Sequence, residues 1–247
     1  TGTWDIVQGN ATIFNINNAN APVSNLAIGN NVFEWTIENG PCPGGETTDQ
    51  MIIAVFDENH PAANAGPDQS FCSTGPVDAS LSANALIVPA TGQWSVVSGT
   101  GTFANPNNRN TLVTGCGIGI NTFRWTIDNG PCGELVDEVS IIVYDQNQTT
   151  IDAGNGGEYC TPISSHSLNA ESPLGPALGT WTVISGAGTF ADPNSPNTVV
   201  SNLDVGENIF RWSINNGPCA ASGGFDDVVV TIFDNTTAVS DAGEDQF

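Results

Sequence analysis

The sequence has no lysine and only three arginines, Arg109, Arg124 and Arg211, against 26 acidic residues, for a formal charge of −23 over 247 residues. A chain that grips phosphates must neutralise them with cationic side chains, and three widely separated arginines form no basic stripe. Nucleic acid and anionic membrane surfaces are therefore not expected partners. No apolar run approaches the ~20 residues that a membrane-spanning helix needs, so this window carries no anchor and no direct membrane insertion is expected. An initiating Met and a charged-then-apolar leader are also lacking, and an internal piece of something longer is expected. Charged residues make up only 12% of the chain, so its polarity comes from Asn, Thr, Ser and Gly, which suit turns and exposed strand faces better than helices. Six cysteines without any lysine point to an oxidising, extracytoplasmic setting.

What the chain does have is repetition. Thr3-Trp4 returns as Gln93-Trp94 and Thr180-Trp181, at offsets of 90 and 87. A second Trp, at 35, 125 and 212, follows the first by 31 residues each time. Asn39-Gly40-Pro41-Cys42 returns as Asn129-Gly130-Pro131-Cys132 and Asn216-Gly217-Pro218-Cys219, and each unit closes on an apolar strand ending at Asp57, Asp145 or Asp234. An opening phrase follows each closure: Ala65-Gly66-Pro67-Asp68-Gln69, Asp152-Ala153-Gly154, and Asp241-Ala242-Gly243-Glu244-Asp245-Gln246. The register predicts a first repeat lacking its opening strands (1–57), two complete repeats (58–145 and 146–234), and the start of a further one (235–247).

Within a repeat, Phe33, Trp35 and Ile37 alternate with Val32, Glu34 and Thr36, and the same frame gives Phe123, Trp125, Ile127 and Phe210, Trp212, Ile214. That is the period of two of a half-buried strand. About seven such strands per repeat, separated by Gly, Pro and Asn clusters and without a helical period, predict an all-β chain of tandem immunoglobulin-like sandwiches. Trp4, Trp35, Trp94, Trp125, Trp181 and Trp212 are the expected core.

The register also suggests a disulfide scheme. Cys72 and Cys132 share one repeat, and Cys160 and Cys219 share the next. Each pair would tie an opening strand to the loop before the closing strand, on the expectation that the two lie at the same end, and would stabilise its repeat by about 4 kcal/mol in the chain-entropy picture. Cys42 would need a partner upstream of residue 1. Cys116 stands where the other repeats have Leu26 and Leu203 and reads as a buried thiol.

Chemistry is sparse. His60 in a linker and His166 in a strand have no metal-ligand spacing around them, and the run Gly115 to Gly119 lacks the helix and Lys of a phosphate loop, leaving a turn. No catalytic residues are assigned. Acidic residues gather near the repeat junctions, at Asp57, Asp68, Asp145, Asp152, Asp234 and Asp241. Together with the segments Glu134 to Glu138 and Asp226-Asp227, expected as loops folding back toward the opening end, they form a candidate calcium site, since Ca²⁺ takes six to eight oxygen ligands. No other cofactor is expected. Asn10, Asn147 and Asn235 begin Asn-x-Ser/Thr triplets, which matter only in a eukaryotic secretory protein.

The phrases Ala65-Gly66-Pro67-Asp68-Gln69…Cys72, Gly92-Gln93-Trp94 through Gly101-Thr102-Phe103, and Phe123-Arg124-Trp125-Thr126-Ile127…Asn129-Gly130-Pro131-Cys132 resemble the PKD-like or Ig-like repeats of giant Bacteroidetes cell-surface adhesins, including those of gliding motility. The resemblance implies export by type IX secretion, display as a long surface filament, and partners among neighbouring repeats, the gliding machinery and a surface or glycan substratum. It supplies no catalytic residue, and Cys116 departs from its usual apolar residue. The alternative is a spacer or carbohydrate-binding region of a secreted polysaccharide-degrading enzyme.

Overall fold

The computed structural model describes residues 1–247 apart from 41–44, 149, 220–222, 237–242 and 244–247. The first repeat supplies β1 (Gly2–Gln8), β2 (Thr12–Ile13), β3 (Val23–Ser24), β4 (Gly29–Glu38) and β5 (Glu46–Val55). The second supplies β6 (Gln69–Ser73), β7 (Val77–Ser82), β8 (Thr91–Ser98), β9 (Thr102–Phe103), β10 (Asn110–Cys116), β11 (Gly119–Asp128) and β12 (Glu134–Asp145). The third supplies β13 (Gly157–Cys160), β14 (Ser165–Asn169), β15 (Leu178–Ser185), β16 (Thr189–Phe190), β17 (Asn197–Ser201), β18 (Gly206–Asn215) and β19 (Gly224–Phe233). Apart from a 3-10 turn at Gly130–Cys132, the regular elements among the described residues are all strands, arranged as repeats of sandwich-forming sheets. The segments 134–138 and 226–227, expected as loops, belong to β12 and β19.

The strands form two compact units, and the middle repeat contributes to both: residues 1–68, 78–115 and 122–140 make one, and 69–77, 116–121 and 141–247 the other. The second unit holds a complete sandwich, with sheet order β13-β19-β18-β15 facing β14-β17-β16. Its core is Leu168, Trp181, Val200, Phe210, Trp212, Ile214, Val228, Val230 and Ile232, with Tyr159 and Phe190 packed against it. Burial of this much aliphatic and aromatic surface is what holds two sheets together. The first unit holds the first repeat's sheets, β1-β4-β5 and β2-β3, together with the Trp94, Phe123, Trp125 and Val113 part of the middle core.

The paired tryptophans are direct cross-strand partners: Trp4 opposite Trp35, Trp94 opposite Trp125, and Trp181 opposite Trp212. Ring centroids lie 5.1, 5.2 and 5.1 Å apart in tilted geometry, close enough to add to burial. The glycine two residues before each first Trp makes the room. A Cβ on Gly2, Gly92 or Gly179 would run into the indole of the second Trp. Trp94, Trp125, Trp181 and Trp212 are buried, whereas Trp4 and Trp35 are only half-buried.

A buried Asn opens the second-Trp strand of every repeat. The Asn208 amide donates to the carbonyls of Asp204 at 2.9 Å and Val230 at 3.3 Å, as Asn121 does to Gly117 and Ile141 at 2.8 and 3.1 Å. Asn31 does the same to Ala27 and Ile53 at 2.9 and 3.3 Å. These bonds satisfy loop and strand carbonyls that the sheet leaves over.

Candidate functional site

The candidate site is the junction between consecutive repeats, and its geometry starts from the direction of one strand. The opening strand β6 runs parallel to the closing strand β12, with Gln69 opposite Ile141 and Cys72 opposite Tyr144; β13 and β19 repeat this, with Cys160 opposite Phe233. Cys72 therefore sits at the C-terminal end of β12, while Cys132 precedes its N-terminal end. A strand of 12 residues spans about 36 Å.

The expected intra-repeat disulfides are accordingly corrected. Cys72 bonds Cys219 of the next repeat, with a Cα–Cα distance of 5.0 Å across a sequence separation of 147. Neither Cys72–Cys132 nor Cys160–Cys219 forms, and Cys132 and Cys160 are exposed free thiols. Bridging needs Cα atoms within about 7 Å, which a parallel opening strand denies to its own repeat and grants to the next. Cys116 is buried, and Cys42 lies outside the described residues.

Other contacts surround the staple. Gly217 approaches the ring of Tyr144 so closely that a Cβ would lie 2.5 Å from it, and the Asn216 amide donates to the Asp145 carbonyl at 2.8 Å. Gln148, buried, accepts from the Leu174 N–H at 2.6 Å and donates to the Thr150 carbonyl at 3.0 Å. The preceding junction has the same parts. Gly130 lies against Phe56, with φ +55 and a would-be Cβ 2.5 Å away, and Asn129 donates to the Asp57 carbonyl at 2.9 Å. His60 takes the place of Gln148: its Nε2 accepts from the Ile87 N–H at 3.1 Å, leaving Nδ1–H to face the Pro61 carbonyl at 2.8 Å. Glycine is needed at 130 and 217 on two counts, left-handed backbone and ring contact.

The junction carboxylates accept backbone hydrogen bonds. Asp57 takes the Asn59 N–H at 2.9 Å, Asp68 the Ser140 N–H at 2.8 Å, Asp145 the Asn147 N–H at 2.8 Å and Asp152 the Gly154 N–H at 2.7 Å. Asp137 and Asp226 accept from Ala65 and Ala153 at 2.8 and 2.9 Å, pinning each opening phrase. Asp234 accepts from the Thr236 N–H and hydroxyl, and the hydroxyl bond foremost holds its carboxyl below the usual value. Among the described residues no group of three or more His, Cys, Asp or Glu side chains is gathered to hold a metal, and Asp241 lies outside them.

The arginines are committed within their own repeats. Arg109 donates to the Ala83 carbonyl at 3.1 Å. Arg124 pairs with Glu138 at 2.6 Å, and Arg211 with Asp227 at 2.7 Å while lying 3.5 Å over the Phe225 ring. The hydrogen bonds between Arg211 and Asp227 raise the guanidinium pKa and lower the carboxyl pKa. His166 meets the Tyr159 hydroxyl at 2.7 Å and the Asn155 carbonyl at 3.2 Å.

The tandem phrases Asn-Gly-Pro-Cys and Ala-Gly were visible in the sequence, but their partners were not: Asn129 and Asn216 reach back 72 and 71 residues across a junction, Ala65 and Ala153 reach forward 72 and 73 residues within their own repeats, and the cysteine pair is 147 residues apart. His60 and Gln148 were missed as clamps; their equivalent position after Asp57 and Asp145 was the available signal.

No protein-family model matches the chain, and no curated protein matches it by sequence. Among solved structures it is similar to the PKD domain from KIAA 1837 protein, at 21% identity over 38% of this chain and 94% of that one, with a TM-score of 0.31. It is also similar to an I-band fragment of titin, at 11% identity over 95% of this chain and 88% of that one, TM-score 0.38. A third similarity is to the human desmocollin-1 ectodomain, at 9% identity over 96% and 55%, TM-score 0.30.

Proposed function

We propose that this chain is a non-enzymatic, load-bearing repeat segment of a long cell-surface adhesin filament. In this reading it extends from the outer membrane of a Gram-negative bacterium, and serves surface attachment and gliding motility. The observation that carries the reading is the disulfide between consecutive repeats, Cys72–Cys219. A bond inside one repeat protects that repeat alone. A bond from one repeat's opening strand to the next repeat's turn puts a covalent path across the junction, where a tandem array under tension would otherwise open first. Such a bond also suits an oxidising, extracytoplasmic compartment. The sequence resemblance to giant Bacteroidetes adhesins, such as the gliding-motility adhesin SprB, supports the finer assignment, with type IX secretion as the route and a surface or glycan as the substratum.

Force spectroscopy tests the load-bearing role. The loop closed by Cys72–Cys219 spans 147 residues, so pulling the oxidised chain by its ends should leave roughly 500 Å of contour hidden until reductant is added. Equal contour lengths with and without reductant would contradict it. The size of the intact surface polypeptide, identified by peptides of this window, tests the adhesin itself. Many hundreds of kilodaltons is the expected result, and the size of an ordinary secreted enzyme would favour the spacer or carbohydrate-module alternative.

A further inference from the structure

The first repeat has an open apolar face, whereas the equivalent face of the third repeat is covered by that repeat's own β13 and β14. Trp4, Ile13, Val23, Phe33, Met51 and Ile53 line a cleft of about 270 Å³. Their counterparts by register, Trp181, Phe190, Val200, Phe210, Val228 and Val230, lie in one core beneath Leu168 of β14 and Tyr159 of β13. Burial follows: Met51 is 45% exposed, while Val139 and Val228 at the same position are 1% and 3% exposed. Among the described residues, β5 has only β4 beside it and β3 only β2. The corresponding edges of β19 and β17 are taken by β13 and β14.

A second observation lies next to the cleft. Cys132 occupies the position of Cys219 in a turn held in the same way, with Asn129 on the Asp57 carbonyl and Gly130 on Phe56. Phe56 is the register equivalent of Tyr144, which stands opposite Cys72 in the parallel ladder. A strand laid along β5 as β6 lies along β12 would place its cysteine opposite Phe56, beside the Cys132 turn. Cys160 is the other kind of half-joint, a strand cysteine opposite Phe233, and faces no such cleft.

We propose that the open face of the first repeat is an acceptor site for the opening segment of a repeat of this type, a two-strand segment with the chemistry of residues 69–82, and that its cysteine becomes disulfide-bonded to Cys132. The strand adds to β5 by main-chain hydrogen bonds, as in β-augmentation, while residues equivalent to Phe71 and Leu81 fill the cleft. In forming the bond, both thiols give up their protons and two electrons pass to a disulfide oxidant, which leaves as two thiols. The inference stands apart from the adhesin reading, because it concerns what completes the fold and not what the array attaches to.

The test uses the 247-residue chain and a peptide spanning residues 65–82 whose Cys72 is activated as a mixed disulfide with thionitrobenzoate. The Cys132 thiolate attacks the peptide sulfur, the activated S–S bond breaks and thionitrobenzoate leaves, so no further oxidant is required. Peptide mapping should find Cys132 modified about tenfold or more faster than Cys160, because docking raises the local concentration at one thiol only. The amides of β5 should gain protection from hydrogen exchange at the same time. A peptide carrying Phe71→Ser and Leu81→Ser should lose the preference while keeping its cysteine. Equal labelling of Cys132 and Cys160, faster labelling of Cys42 or Cys160, no labelling of Cys132, or an unaltered preference with the doubly substituted peptide would each overturn the proposal. So would a chain whose cleft is already closed by a second copy, seen as a dimer that the peptide does not dissociate.

Discussion

The first and third repeats carry nearly the same pattern of apolar residues and end in different states of burial. Ile37 is 47% exposed, and Ile214 in the same frame is 4% exposed. Both belong to a second-Trp strand that pairs with the first-Trp strand, so the strand pattern alone does not bury them. What differs is β13 and β14, which cover the third repeat's sheets and have no counterpart among the described residues of the first. In these repeats the central strands give the sheet its register, and the opening strands give it a core. The same strands carry the junction cysteine, so completing one repeat and tying it to the next are linked structurally.

The largest expected effect contrasts the two junctions. Reducing Cys72–Cys219, or substituting Cys219→Ala, should lower stability by up to about 5 kcal/mol, the chain-entropy limit for so long a loop. Cys132→Ala should change it by less than about 0.5 kcal/mol, as expected for an exposed side chain; chemical denaturation with and without reductant checks both. Next come the tryptophans. Trp212→Ala should cost about 3–5 kcal/mol and Trp35→Ala clearly less, because the half-buried ring gives up less surface. Hydrogen exchange read separately in β18 and β4 distinguishes the two, and equal losses would erase the contrast between repeats.

The clamping asparagines should behave alike at both junctions. Asn129→Ala and Asn216→Ala each remove a buried bond to the preceding repeat's terminal Asp carbonyl and should cost about 1–2 kcal/mol. A loss confined to Asn216 would mean that the first junction is not built like the second. A smaller effect is expected from acid. The depressed carboxyl of Asp227, held by Arg211, and that of Asp234, held by Thr236, stabilise the fold above the unfolded carboxylate pKa of about 3.9. That contribution is lost as pH falls through their lower folded values, and none of it should change between pH 5 and 8. Asp227→Asn should flatten the acid limb of an unfolding curve. The smallest effect is expected from calcium: among the described residues no three His, Cys, Asp or Glu side chains are gathered at one point, so adding it or chelating it should leave the melting temperature unchanged, and a rise on addition would revive the junction site.

Strand existence and register were legible in the sequence, since the Phe-x-Trp-x-Ile alternation states both the period and the buried face. The sandwich class followed from the number of strands and the absence of a helical period. The staple was not legible for a specific reason. The cysteine spacing is compatible with bonds within or between repeats, and the choice depends on whether β6 runs parallel or antiparallel to β12. A hairpin-like arrangement would have put Cys72 near Cys132. The parallel arrangement carries Cys72 to the far end, where Tyr144 meets Gly217. The clamps made by His60 and Gln148 were hidden in the same way, because one polar residue after a strand says nothing about a backbone N–H some 26 residues later.

The central claim is that consecutive repeats are joined covalently, and non-reducing peptide mapping of the folded 247-residue chain alone, after alkylation of free thiols, tests it most directly. The expected result is a linked pair of peptides carrying Cys72 and Cys219, with Cys132 and Cys160 alkylated. Linked peptides carrying Cys72 with Cys132, or Cys160 with Cys219, would contradict it and return each staple to its own repeat.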